Sequence, residues 1–261
     1  MRKLITPGRM MFALGIIALG ILQFFIKDFI IGRPPSPPWS SDIPGKLAWA
    51  YISAICIIIA ALAIIIQQKA ISAALFIALI IIVCSFLLRH LPDTFGNTFE
   101  GIVWRINAYK SLALAGGAFI VAASFLKAER SYKNKIYSRG SLVFSGCVLI
   151  ALFMFMSGLA HFKFDEFVKN FIPSYIPAHG FWTYFAAVAL MAGGAGLIFR
   201  ITRKWAALFS AIMILLWFLL LHIPRTVAAP KDFMEWMGIF ESFAFSGILF
   251  VLSGLSSQKE I

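Results

Sequence analysis

Eight runs of roughly 20 apolar residues divide this 261-residue chain, near residues 10–31, 47–66, 70–89, 102–126, 141–162, 181–199, 205–222 and 236–254. A helix needs about 20 apolar residues to cross the hydrocarbon of a bilayer, so each run predicts one spanning helix. Barrel strands would be shorter and would alternate polar with apolar positions, and these runs do neither. A chain that is 61% hydrophobic, 13% charged and of mean hydropathy +0.90 does not fit a water-soluble domain. The connections are short and leave no room for a separate soluble domain. Arg2, Lys3 and Arg9 precede the first run as they would in a secretory signal. No small-residue cleavage site follows, so this run is expected to stay as the first helix.

The runs are written twice. "SFLLRHLPDT" (85–94) returns as "WFLLLHIPRT" (217–226), and "IPGKLAWAY" (43–51) returns as "IPAHGFWTY" (176–184). "AALF" occurs at 73–76 and again at 206–209, "GILQF" (20–24) matches "GLAHF" (158–162), and Gly116 matches Gly247. The offsets are 132, 133, 133, 138 and 131, drifting where loops absorb the difference. Single matches between apolar stretches are cheap, but five in one order across four helices point to duplication. The expected domains are a four-helix repeat over 1–126, a basic linker over 127–140 and a second repeat over 141–261. Four spans return the chain to the side it left. The fold class is therefore an all-α membrane protein of eight transmembrane helices, built as two parallel four-helix repeats about a pseudo-two-fold axis along the membrane normal. Pro92 and Pro224 are expected to end the third and seventh helices near the surface.

The net charge of +12 suggests nucleic acid only if position is ignored. Of the 23 Lys and Arg, 13 fall in the N-terminus, the 67–70 and 200–204 turns, the 127–140 linker and the tail, all on one side. The positive-inside rule puts that side, with both termini, in the cytoplasm. The expected partner of the basic excess is the bilayer surface, with no nucleic acid.

Charges within the spans are costly unless they face protein or water. Lys110 and Glu241 stand at matching places in the fourth and eighth runs. Three readings stay open: an ion pair locking the halves, a charged site in an outward-facing cavity, or two side chains snorkelling separately. Arg105, Asn107, Tyr109 and Glu235 extend the same polar patch outward, and Glu100 is within its reach.

His90, His222, His161 and His179 form a set of candidate outer-surface histidines. A haem between His90 and His222 is weakly supported, because one pair at helix ends beside Pro more often bonds loop backbone. His161 and His179 with Asp165 and Glu166 match no metal-ligand spacing, so no metal is assigned. The default reading of "FKFDEFVKNFIPSYI" is an interfacial amphipathic segment with Phe164, Phe167, Val168 and Phe171 on one face. Trp39, Trp49, Trp104, Trp182 and Trp236 read as an aromatic belt. Cys56, Cys84 and Cys147 lie singly within apolar runs and form no C-x-x-C, which argues against thiol–disulfide chemistry within the chain. "GGAG" (193–196) and Gly116-Gly117 are packing positions, and no phosphate loop, Ser-His-Asp set or metalloprotease motif is present. No catalytic residue is assigned.

The succession "SGLAHFKFDEF", "IPSYIPAHGFWTYFAAVALMAGGAGLIFRITRKWAAL" and "LLHIPR" resembles the DoxX family of small four-helix bacterial membrane proteins. The likeness covers about 100 residues of the second half, and the first half follows it more loosely. An acidic residue common in the second helix of that family is absent from "AVALMAGGAG" and from "SAICIIIAAL", so no role of that carboxylate carries over. The resemblance implies a tandem DoxX-like protein of the bacterial inner membrane, associated with quinone- or thiol-linked redox complexes. A quinone enters as a cofactor only through this resemblance. Three functions stay open: a membrane subunit of a redox complex, a noncatalytic assembly partner of another membrane or periplasmic protein, and a small-solute transporter with a polar site between the repeats.

Overall fold

The computed structural model of the chain describes residues 1–29, 44–90, 98–126 and 138–257, and every regular element among them is helical. Eight helices there are long and apolar enough to cross a membrane. Their main α-helical parts are α1 (Ile5–Ile26), α2 (Lys46–Ile65), α3 (Ala70–Ile80), α4 (Ile106–Phe125), α5 (Arg139–Lys163), α6 (His179–Ile198), α7 (Arg200–Trp217) and α8 (Phe233–Ser256); the third span continues to Leu88, the fourth starts at Gly101 and the seventh reaches Ala228. The stretch 30–43 with Trp39, residues 91–97 with Pro92, linker residues 127–137 and the side chains of Glu100 and Trp104 lie outside the described residues.

Two elements differ from the sequence expectation. Helix α1 begins at Ile5, not near residue 10, with Arg9 inside it. That guanidinium donates from Nε to Ser124 Oγ at 2.7 Å and from Nη2 to the Ser124 carbonyl, and it lies over the Phe125 ring. A charge so satisfied need not end a span. At the other site, Pro224 does not stop α7. The helix widens into a π-helical segment, Phe218–His222, and runs straight on as Ile223–Ala228 with the Pro in its first turn. Pro224 supplies no N–H to the π-helical turn before it, and the helix carries on past it all the same. The matching phrase in the first half is also π-helical, over Ile81–His90.

Helices α4 and α8 are central. In their spanning windows 67% and 78% of residues are buried, against 44% or less in every other span. Helix α8 packs on α1, α4 and α7, while α4 packs on α3, α5 and α8. The outer pairs are α1–α2, α2–α3, α5–α6 and α6–α7, so two five-helix lobes share the α4–α8 wall. Glycine permits the closest crossings. A Cβ on Gly146 of α5 would stand 2.5 Å from the Gly116 carbonyl oxygen of α4, and one on Gly8 of α1 would stand 2.5 Å from that of Gly247 on α8. The outward faces carry large apolar side chains more than half exposed, among them Ile59, Val188 and Phe209, a surface that suits hydrocarbon and not water.

Ser253 near the end of α8 donates to the Lys204 carbonyl at 3.0 Å and approaches Met1 Sδ. The N-terminus, the α6–α7 turn and the last turn of α8 therefore meet at one end of the bundle, called here the termini end. The opposite end carries the 164–176 segment, the roof of one lobe.

Candidate functional site

The lobe made by α4–α8 holds an open-sided cavity of about 980 Å³. Its walls are mostly Phe, Leu, Ile, Val, Ala and Met, because five helices turn their apolar stripes toward one another without meeting. Small residues on α6 explain why space remains: Ala186, Ala189, Ala192 and Gly193 all line it. The roof is the 164–176 segment. Phe164, Phe167, Val168 and Phe171, expected on the lipid-facing side of an interfacial helix, line the cavity instead. Their helical stretch, Asp165–Lys169, is short, and its apolar face closes the lobe.

Two devices hold the roof. The Tyr175 hydroxyl donates to the Leu220 carbonyl, in the π-helical turn to which Pro224 supplies no N–H. Arg225 donates to both Glu235 carboxylate oxygens, Nε to Oε2 at 3.0 Å and Nη2 to Oε1 at 2.5 Å. It also donates to the Asn170 carbonyl at 3.3 Å and lies 4.6 Å above the Phe171 ring. One bidentate ion pair thus joins the α7–α8 connection, the start of α8 and the roof. On the outer surface of the roof, Lys169 donates to Asp165 at 2.8 Å and to Glu166 at 2.6 Å, and Tyr184 donates to Asp165 at 2.9 Å. The Lys169 ammonium, then the Tyr184 hydroxyl, hold the Asp165 carboxyl below the ordinary aspartate range.

Lys110 Nζ donates to Glu241 Oε2 at 2.9 Å, and the side chains are 15% and 6% exposed. Both line the cavity, with Asn107, Ser157, His161, Thr183 and His222 nearby on its wall. Ser111 and Ser242, next to the two charges, each turn their hydroxyl back on the carbonyl four residues earlier. His161 Nδ1 lies 2.7 Å from the Ser157 carbonyl, which can only accept, so Nδ1 carries the proton and Nε2 is the acceptor of the ring.

The remaining sequence candidates fall elsewhere. The expected single patch is split: Glu235 belongs to the Arg225 latch, Arg105 sits at the break between Phe99–Trp104 and α4, and the Tyr109 hydroxyl donates to the Ile102 carbonyl at 3.2 Å. None of these three lines the cavity. His90 is buried at the end of the π-helical segment after α3, which packs on α4, whereas His222 lines the cavity of the α4–α8 lobe. His179 opens α6, where its carbonyl accepts from Thr183. Among the described residues no three His, Cys, Asp or Glu side chains are grouped as a metal site, and the three cysteines are free thiols.

Sequence reasoning missed Arg225, Tyr175, Ser157 and Thr183 as parts of this site. For Arg225 a signal existed, since Glu235 needed a cation and Arg225 follows the repeated His-x-Pro. Thr183 and Ser157 carried none, being small hydroxyls inside apolar runs.

A family described as a domain of unknown function, DUF8561, matches residues 150–235. That stretch holds most of α5, the roof, α6, α7 and the Arg225–Glu235 latch, nearly all of the cavity wall apart from α4 and α8. No curated protein and no solved structure matches the chain.

Proposed function

We propose that the chain is a tandem DoxX-like protein of the bacterial inner membrane, acting as the membrane subunit of a redox complex that works with a quinone. The observation that carries this reading is the α4–α8 cavity: about 980 Å³, apolar over most of its wall, with a donor and an acceptor near the roof. This is the size and polarity of a site for a lipid-soluble carrier. A quinone suits it better than thiol chemistry, because Cys147 is buried and Cys56 lies on α2 in the other lobe.

The same reading includes the duplication. Lys110 and Glu241 are 131 residues apart and touch, and Gly117 and Ile248, at the same spacing, are also in contact. The Gly8–Gly247 and Gly116–Gly146 crossings are made by residues that match under the offsets of the two copies. So are the approaches of Gly20 to Ile58 and of Gly158 to Met191. Contacts between matched residues on α4 and α8 are what a two-fold axis between those helices would produce. With the positive-inside rule, both termini are cytoplasmic and the roof faces outward.

Protein purified from its own membranes should yield a quinone on organic extraction and should co-purify with a redox-active neighbour. A quinone-free preparation without such a partner, and without quinone reductase activity, overturns the reading. If a neighbour co-purifies and its abundance falls on deletion, yet no quinone is bound, a noncatalytic assembly role replaces it. The cavity-lining position of Lys110 and Glu241 also favours a second reading, transport of a small solute; Lys110→Met leaving uptake unchanged would remove it.

A further inference from the structure

The cavity is polarised along its length. Near the roof it presents Asn107, Lys110, His161, Thr183 and Glu241; toward the termini end its wall is Phe153, Ala206, Phe209 and Met213, with the Ser210 hydroxyl the one polar group among them. The two helices that part to make room are α6 and α7. At the termini end they touch, where a Cβ on Gly193 would stand 2.6 Å from Ser210 Oγ and one on Gly196 would stand 2.7 Å from Ala206 Cβ. Nearer the roof, Phe185 of α6 and Leu216 of α7 both line the cavity and are half exposed. So are Trp182, Phe209, Ile212 and Leu220. Side chains of both kinds mark a rim, and this rim continues the outward apolar stripes of α6 and α7. Helix α7 is the least buried span, at 22%. The opening therefore faces the hydrocarbon.

The polar end selects a head group. Lys110 gives one of its three N–H donors to Glu241, so the pair is neutral and donors remain. His161, with its Nδ1 proton committed to Ser157, offers an acceptor. A phosphate or carboxylate would place a second anion beside Glu241 in an apolar chamber, which is unfavourable without another cation. An uncharged head bearing a carbonyl or hydroxyl oxygen for Lys110 and a hydroxyl proton for His161 leaves nothing uncompensated.

We propose that this chamber is a binding site for a neutral membrane amphiphile, which enters between α6 and α7, sets an uncharged hydroxyl-bearing head beneath the roof at Lys110 and His161, and lays its chain along the Phe153–Met213 end. The chemistry is shared by a long-tailed quinol and a diacylglycerol. The site is defined by shape and polarity, so it stands even if the redox reading fails.

The test uses the full chain in nanodiscs with three probes carrying a photoreactive group in the tail: a ubiquinol analogue, a diacylglycerol and a phosphatidylglycerol. At least one neutral probe should label peptides of α6 and α7, and an excess of its unlabelled parent should cut that labelling at least tenfold. Ala189→Trp, which fills the chamber, should abolish it, as His161→Phe should weaken it severalfold, with unfolding temperature retained in at least one variant. Labelling by the diacylglycerol alone supports the site and removes the quinone reading; labelling by the ubiquinol analogue supports both. The proposal is overturned if phosphatidylglycerol labels α6 and α7 as well as the neutral probes do, if unlabelled parent does not compete, or if no probe reaches those helices.

Discussion

Tyr175 donates its hydroxyl proton to the carbonyl of Leu220, four residues before Pro224. The roof is thus tied to the π-helical segment Phe218–His222 that continues α7, next to the proline that gives that turn no N–H. Removing the hydroxyl with Tyr175→Phe should cost about 0.5–1.5 kcal/mol and raise amide exchange over residues 170–178. Pro224→Ala returns a backbone N–H to the turn, so in that background Tyr175→Phe should have a smaller effect. Equal effects in both backgrounds would show that the proline and the tyrosine are not coupled.

The Lys110–Glu241 pair predicts strong non-additivity. Lys110→Met or Glu241→Met alone leaves one charge without its partner inside the bundle, a loss of roughly 3–5 kcal/mol for a pair of this kind. Replacing both, as Lys110→Met with Glu241→Met, removes both charges and should recover most of that loss. Unfolding of purified protein in mild detergent reads the cycle. Additive losses would mean that each charge has another partner and that the 2.9 Å contact carries little.

Lys110 and Glu241 are legible in the sequence because a charge in an apolar run stands out and because the two stand 131 residues apart, the spacing of Gly116 and Gly247. The spans were legible for the same reason, since hydrocarbon demands about 20 apolar residues whatever their neighbours. What was not legible depended on partners distant in the chain. Arg9 looked like a flank of the first helix until Ser124 and Phe125 received it. The apolar face of 164–171 has the same pattern whether it meets lipid or a cavity, and only the positions of α6 and α7 decide between them. Pro224 reads as a stop because sequence shows the lost N–H and not the π-helical turn that carries the helix past it. The cavity had no sequence signature: alanines and glycines at 186–193 pack helices closely in most bundles, and here they leave a space.

On the roof surface, Asp165 should titrate below the ordinary aspartate value, with Lys169 as the main cause and Tyr184 as the second. Its folded value is depressed, so its contribution to stability is present above the unfolded value of about 3.9 and is lost as pH falls through the folded one. This group therefore adds no pH dependence between pH 8 and 5. Carboxyl-carbon NMR should place its midpoint below the usual range in the wild type, and Lys169→Met should move it upward. A midpoint that ignores Lys169→Met would mean that the ammonium does not hold the carboxylate in solution.

The glycine crossings give the sharpest packing prediction, because the atoms opposite are backbone and cannot rotate away. A methyl at Gly146 meets the Gly116 carbonyl, and one at Gly8 meets the Gly247 carbonyl, each at 2.5 Å. A real Cβ essentially never comes so close, so α4 must shift from α5, or α1 from α8. Gly146→Ala and Gly8→Ala should each cost about 1–3 kcal/mol, the usual range for overpacking. Gly140→Ala, near the start of α5 with nothing nearer than 3.9 Å, is the control and should leave the unfolding temperature unchanged. Gly146 borders the cavity lobe and Gly8 the other. Gly146→Ala should therefore also change labelling of α6 and α7 by a neutral amphiphile, while Gly8→Ala destabilises to a similar degree and leaves that labelling intact. If both variants alter labelling equally, the two lobes are not separate packing units, and the α4–α8 wall transmits strain from one to the other.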